Sequence, residues 1–270
     1  MSLINTTTTA TITTKFAFSL PYEALSDKRT QGWLLVNSIW NVIVFVAIYL
    51  LLVNRLPKLM KKRKPFQLNS LLMLYNFAMA TLNARICQQL ISASSRQNYN
   101  YLCQPCREIY NEDEIIIATA VWWFYFSKLL EFSDTFFFIL RKKWEQLSFL
   151  HVYHHSTMFP LWWIGVKWVP TGSTFFPAMV NSFVHVVMYS YYGLSACGPH
   201  VRKYLWWKRY LTVLQLAQFV AGLLWAIQAI IFNCDFPLWI NYATIVYMIS
   251  FLILFGRFYA RKYQKKNKVN

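Results

Sequence analysis

The chain has 270 residues, of which 57% are hydrophobic, 19% aromatic and only 14% charged, where an ordinary soluble domain carries about 25% charged residues. The apolar residues fall in blocks long enough to cross a bilayer, which excludes a soluble globular domain and predicts an all-α polytopic membrane protein. The net charge of +17 invites a nucleic-acid role, but the basic residues sit in alternate loops between apolar blocks, as topology signals do.

Residues 1–32 are polar and threonine-rich, without the apolar stretch of a cleaved signal peptide. They read as a lumenal segment, and Asn5-Thr6-Thr7 within them is a glycosylation sequon. A membrane domain is expected over 33–260 and a basic cytosolic tail over 261–270. Inside the domain, seven segments of about 20 residues are predicted to be transmembrane helices. They are 33–53, 67–92, 115–140, 147–166, 174–195, 210–232 and 236–258. None alternates polar and apolar residues as a barrel strand does. There is no internal repeat, and no loop is long enough for a soluble domain.

The loop after the first segment reads R-L-P-K-L-M-K-K-R-K over 55–64. Arg141, Lys142 and Lys143 follow the third, and Arg202, Lys203, Lys208 and Arg209 follow the fifth. The loop 93–114 instead carries Glu108, Glu112, Asp113 and Glu114. This positive-inside pattern places the N-terminus in the lumen and the C-terminus in the cytosol. Lys266 and Lys268 resemble a dilysine signal for retrieval to the endoplasmic reticulum. The basic loops would also attract a phosphate-bearing substrate. Cys103 and Cys106 lie in the loop 93–114 and Cys234 in the loop before the seventh segment, both on the oxidising side. A disulfide from Cys234 to one of that pair is expected, if the loops are neighbours. Cys87 and Cys197 read as small packing residues.

Ionisable groups inside a bilayer are costly and usually functional. The third segment carries Lys128, Glu131, Asp134 and Thr135, whose spacings of three and four put them on one helical face. The fourth opens with His151, His154 and His155, again on one face, and contains Pro160, expected to kink it. In the fifth, Asn181, His185, Met188, Tyr189 and Tyr192 form one stripe. In the sixth, Thr212, Gln215 and Gln218 step by three. These faces are expected to converge in the cytosolic half of the bundle, as a buried polar chamber.

H-x-x-H-H first suggests iron. Membrane desaturases and hydroxylases use more imidazoles than the five histidines here, although a mononuclear site needs only about three or four ligands. The alternative is imidazole chemistry. A neutral histidine attacks a thioester and holds the acyl group, and a second moves protons. A buried carboxylate such as Asp134 orients an imidazole, and amides or a lysine stabilise an oxyanion. A seven-span receptor or transporter would need neither the histidine cluster nor the Lys–Glu–Asp face, and shows no inverted repeat here.

The segments K-L-L-E-F-S-D-T at 128–135, H-V-Y-H-H at 151–155, N-S-F-V-H-V-V-M-Y-S-Y-Y at 181–192 and T-V-L-Q-L-A-Q at 212–218 occur together in the order and spacing of one family. The chain resembles the very-long-chain fatty acid elongases of the endoplasmic reticulum, most of all the branch acting on polyunsaturated or very long acyl chains. The resemblance implies condensation of acyl-CoA with malonyl-CoA, releasing CO2 and CoA, to a 3-ketoacyl-CoA two carbons longer. It implies no metal or other cofactor, and an acyl tunnel enclosed by the seven helices. It points to His154 as acyl acceptor and His185 as its helper in decarboxylation. His151 and His155 would orient their neighbours. Asp134, Lys128, Glu131, Asn181, Tyr189, Tyr192, Gln215 and Gln218 would surround the thioester, with Arg141, Lys142 and Lys143 near the CoA phosphates. It favours Cys103 as the partner of Cys234. Members of the family often form homodimers and work beside the reductases and dehydratase of the elongation cycle.

Overall fold

The computed structural model describes residues 26–264, so Asn5, Lys266 and Lys268 lie outside the described residues. Within them every regular element is helical and no strand occurs. The long helices are α1 (Ile39–Met60), α2 (Asn69–Arg96), α3 (Glu112–Leu130), α4 (Phe132–Leu140), α5 (Phe149–Trp168) and α6 (Phe175–Ala196). A single turn, α7 (Pro199–Arg202), precedes α8 (Lys208–Ile231) and α9 (Leu238–Tyr259).

The helix starts follow local chemistry. Ser148 caps α5 by accepting from His151 N at 3.3 Å, which puts the histidine box in the first turns of that helix. Asn111 caps α3 by accepting from Glu114 N at 2.8 Å, and Glu112, Asp113 and Glu114 then sit at the positive end of the helix dipole.

A helix occupies each of the seven predicted segments, with two differences. The first starts at Ile39 rather than 33, because Gly32 (φ 82°) and Leu35 (φ 63°) turn the chain before it. The third is interrupted at Glu131, which separates α3 from α4. By length and composition, four stretches among the described residues are apolar enough to cross a membrane: Ile39–Met60, Glu112–Leu140, Lys208–Ile231 and Leu238–Tyr263. The helices α2, α5 and α6 have the length but carry more polar side chains. They lie inward: α2 packs along α6, and α3 packs against α2, α5 and α6. The outer α1 rests on α4 and α5, and α8 pairs with α9 beside α6. Stacked Tyr125 and Phe159, with Phe124, Trp163 and Phe175, centre the main core.

One end of the bundle carries the basic loops. There Lys142 Nζ donates to Lys61 O at 3.2 Å and Phe66 N to Leu140 O at 3.0 Å, pinning the α1–α2 loop onto the end of α4. At the opposite end Cys103 is bonded to Cys234 and Cys106 is a free thiol. Trp225 Nε1 donates to Tyr101 O and Gln228 Nε2 to Leu102 O, so the α2–α3 loop covers the α8–α9 turn. Burial raises the Cys106 thiol pKa, which keeps it neutral. Arg29, with a fully buried side chain, joins Asp27, Glu114 and Thr171 at this end. Burial and the bond to Glu114 push the Tyr99 phenol far above its ordinary range.

The same loop meets the α5–α6 turn. Gly172 has φ +63°, and a Cβ there would lie 2.7 Å from the Cys106 backbone. Gly172→Ala is therefore expected to cost about 2–3 kcal/mol. Gly256→Ala, with open space around its Cβ, is expected to leave stability unchanged or slightly raised. Thermal unfolding in detergent checks both, and equal midpoints for the two variants would contradict this close approach.

Candidate active site

The interruption at Glu131 sits beside a buried ion pair. Lys128 Nζ donates to Glu131 Oε1 at 2.7 Å, and both side chains are 1% exposed. The lysine also donates to Asn181 Oδ1 at 3.3 Å and lies 4.2 Å from the centre of the Phe124 ring. His185 Nδ1 comes within 3.1 Å of the same carboxylate oxygen, close enough for an ion pair but not aligned as a hydrogen bond. Among the described residues Glu131 Oε2 has no hydrogen-bond partner. Two helices, α3 and α6, thus meet at one carboxylate in the break before α4. Such a carboxylate would stabilise an imidazolium whenever His185 takes up a proton.

Asp134 faces elsewhere. Its Oδ2 accepts from Tyr189 at 2.7 Å, while the carboxylate approaching an imidazole is Glu131. The Tyr189 and His185 rings lie 5.7 Å apart, so Asp134 still borders the chamber through Tyr189.

The three box imidazoles form a cluster on α5. The ring of His155 lies 4.3 Å from that of His151 and 5.0 Å from that of His154. His151 Nε2 is 2.8 Å from Thr135 Oγ1, and Thr135 is 3.0 Å from the Tyr49 hydroxyl. His154 turns toward α9, with its ring 5.5 Å from Phe251.

A cavity of about 180 Å³ begins at His154. Its walls come from α5, α6, α8 and α9, with Asn181 and Gln218 near the histidine, then Met158, Phe219 and Gly165, and Val169, Phe236 and Trp239 toward the disulfide end. Among the described residues His154 is the only histidine lining it. From His154 to Gly165 the helix rises about 16 Å. The α9 wall is held to α5 by Tyr153–Ser250 at 2.9 Å and Thr157–Tyr247 at 2.6 Å, on either side of His154 along the helix.

Other expected site residues fall at varying distance. Gln215 Nε2 contacts Met188 Sδ at 3.6 Å, and Gln218 Oε1 is buried without a partner. Tyr192 is 40% exposed, with its ring 5.6 Å from that of Tyr191. Arg141, Lys142 and Lys143 lie beyond α4 at the basic end. Among the described residues no three or more His, Cys, Asp or Glu side chains are grouped to hold a metal ion. Sequence reasoning missed Tyr49, Tyr153, Thr157, Tyr247 and Ser250. A hydroxyl in the middle of an otherwise apolar helix is the signal that would have found Tyr49.

The profile described as ELO: GNS1/SUR4 family matches residues 34–270. The chain is 50% identical over 245 residues to very long chain fatty acid elongase 4 of Homo sapiens, covering 91% of this chain and 78% of that protein. The Mus musculus elongase 4 is 51% identical over 241 residues, covering 89% and 77%. Very long chain fatty acid elongase 5 of Xenopus laevis is 47% identical over 240 residues, covering 89% and 81%.

Removing one member of a buried pair leaves the other charge uncompensated, at about 3–5 kcal/mol. Lys128→Met is expected to lower the thermal midpoint by many degrees, and adding Glu131→Gln to recover much of the loss. A single variant as stable as the parent would show that the pair does not hold this junction.

Proposed function

The chain belongs to the ELO (GNS1/SUR4) family, and from that membership we propose that it is a membrane-embedded condensing enzyme of very-long-chain fatty acid elongation. It joins a long-chain acyl-CoA to malonyl-CoA, releasing CO2 and CoA, to give a 3-ketoacyl-CoA two carbons longer. The observation that carries this is the position of His154, a polar nucleophile at the head of a long apolar cavity.

The acyl tail occupies the cavity. The His154 imidazole attacks the thioester carbonyl, the C–S bond breaks, and CoA leaves as its thiol with the proton the imidazole gives up. Malonyl-CoA then loses CO2, its carbanion attacks the acyl carbon, the C–N bond to His154 breaks, and the departing imidazole takes up one proton from solvent. His185 handles protons with Glu131 as its counter-charge, and Lys128 and Asn181 hold that carboxylate assembly in place. Asn181 and Gln218, lining the cavity beside His154, face the thioester. No metal or other cofactor takes part in this scheme.

All seven helical segments span the membrane, with the N-terminus in the lumen of the endoplasmic reticulum and the C-terminus in the cytosol. The chamber then opens toward the basic cytosolic end, where Arg141, Lys142 and Lys143 lie near the CoA phosphates. The disulfide end faces the oxidising lumen, as does the sequon at Asn5. A homodimer working beside the reductases and dehydratase of the cycle completes this picture.

Purified protein given a long-chain acyl-CoA and malonyl-CoA without reductant is expected to form 3-ketoacyl-CoA, detected by mass spectrometry, and His154→Ala to abolish it. Intact-mass analysis with acyl-CoA alone should show an acyl adduct on the parent and none on the variant. No product across a broad acyl panel from folded protein would reject this function and direct attention to metal content and oxygen-dependent chemistry.

Gly165 lines the cavity, with ordinary contacts of 3.6 Å around its Cβ position. Gly165→Leu is expected to fill the cavity beyond the first part of the tail and move the preferred substrate to shorter chains. An unchanged product distribution would place the tail elsewhere.

A further inference from the structure

We propose that Tyr49 and Thr135 are positioning residues that fix which nitrogen of His151 carries its proton, making that ring a hydrogen-bond donor to the chamber. This assignment rests on the condensing function proposed above.

Tyr49 belongs to α1, otherwise the helix most exposed along its length, yet it is itself only 1% exposed. Its ring stacks on Phe132 at 4.3 Å and meets the edge of Phe136 at 6.4 Å, so its position is fixed by packing. Its hydroxyl bonds to Thr135 Oγ1 at 3.0 Å, and Thr135 is fully buried and 2.8 Å from His151 Nε2. Three polar groups from α1, α4 and α5 therefore form one chain.

Counting protons sets its direction. Each hydroxyl has one hydrogen to donate, and a neutral imidazole has one N–H. Among the described residues Thr135 is the only acceptor recorded for the Tyr49 hydroxyl. If Tyr49 donates to Thr135, the threonine hydrogen goes to His151 Nε2, and the imidazole proton resides on Nδ1. In the reverse order the ring donates to Thr135 and Thr135 to Tyr49, leaving the phenol hydrogen buried and unpaired, at about 1–3 kcal/mol. The first order is favoured. A ring held so offers an N–H, not a lone pair, on the side of its remaining nitrogen. On that side the ring can donate to an oxygen and does not act as a base. That leaves acyl transfer to His154 and proton uptake to His185.

The test combines kinetics with ¹⁵N NMR of histidine-labelled protein in detergent, the His151 signals being identified by their loss in His151→Gln. In the parent, Nδ1 is expected to be protonated and Nε2 bare. Thr135→Val and Tyr49→Phe should both give mixed tautomers. Loss of a tautomer lock is expected to lower kcat of Thr135→Val by at least about tenfold with KM changed less than about twofold. Thr135→Ser, which keeps the hydroxyl, should restore kcat to within about threefold and return the parent tautomer. A structural role alone would move the thermal midpoint and not the tautomer. A proton on Nε2 in the parent, or parent tautomer and kcat in Thr135→Val, would overturn the assignment. Absence of 3-ketoacyl-CoA from the parent would instead fail the proposed activity, while the NMR result would still decide the tautomer.

Discussion

A lysine and a glutamate, each 1% exposed and 2.7 Å apart, are the constraint around which the rest of this molecule is arranged. Neither charge is tolerable alone at that depth. Their pairing is local, three residues apart on one helix, but it does not satisfy either group fully. Asn181 from α6 takes a second bond from the lysine, the Phe124 ring faces it, and His185 comes to the same glutamate oxygen. The pair therefore draws α6 onto α3, and where it sits the helix is interrupted at Glu131. Polar desolvation and helix packing are the same event here. The inner helices are the polar ones because only the interior offers partners for their side chains.

The two ends of the bundle are built by different means. At the basic end the loops meet through backbone acceptors, as in the bond from Lys142 to Lys61 O. At the other end a disulfide, a buried arginine with two carboxylates, and a glycine that no other residue could replace without strain lock three loops together. The cavity runs toward this second, more heavily braced end. The bracing is thus concentrated where the cavity ends, and the polar groups around Glu131 lie toward the end with the simpler loops.

Much of this was legible in the sequence because it rests on spacing. The faces formed by Lys128 and Glu131, by His151 and His155, and by Asn181 and His185 follow from helical periodicity alone; the first two pairs are in contact, and Asn181 and His185 reach Lys128 and Glu131 respectively. What spacing could not show was pairing across helices. It suggested Asp134 as the carboxylate for an imidazole, but periodicity does not tell which neighbour a face will meet; Asp134 meets Tyr189 and Glu131 meets His185. It placed Tyr192 on the chamber stripe, about three turns from Asn181 on the same face of α6, where the side chain is 40% exposed. It gave no role to Tyr49, since a single hydroxyl in an apolar helix has no periodic signature. The break at Glu131 was equally hidden, because no proline or glycine marks it.

The helix α5 joins chemistry and capacity in one element. His154 and the cavity-lining residues Met158 and Gly165 lie on the same rod, with Val169 at its C-terminal cap, so the distance from the His154 imidazole to any point on that wall is set by the helix rise. The opposite wall, α8 and α9, has no such covalent register. It is pinned instead at two levels: by the hydroxyl pairs Tyr153–Ser250 and Thr157–Tyr247 beside the histidine, and by Cys103–Cys234 at the far end. Between those levels the wall is largely apolar contact, such as Phe176 stacked on Trp225, whose indole also donates to Tyr101 O. A cavity pinned at both ends and lined mainly by apolar side chains in between has a fixed length and few directional contacts along it. That division suits a long apolar chain, whose burial depends on area and hardly on direction.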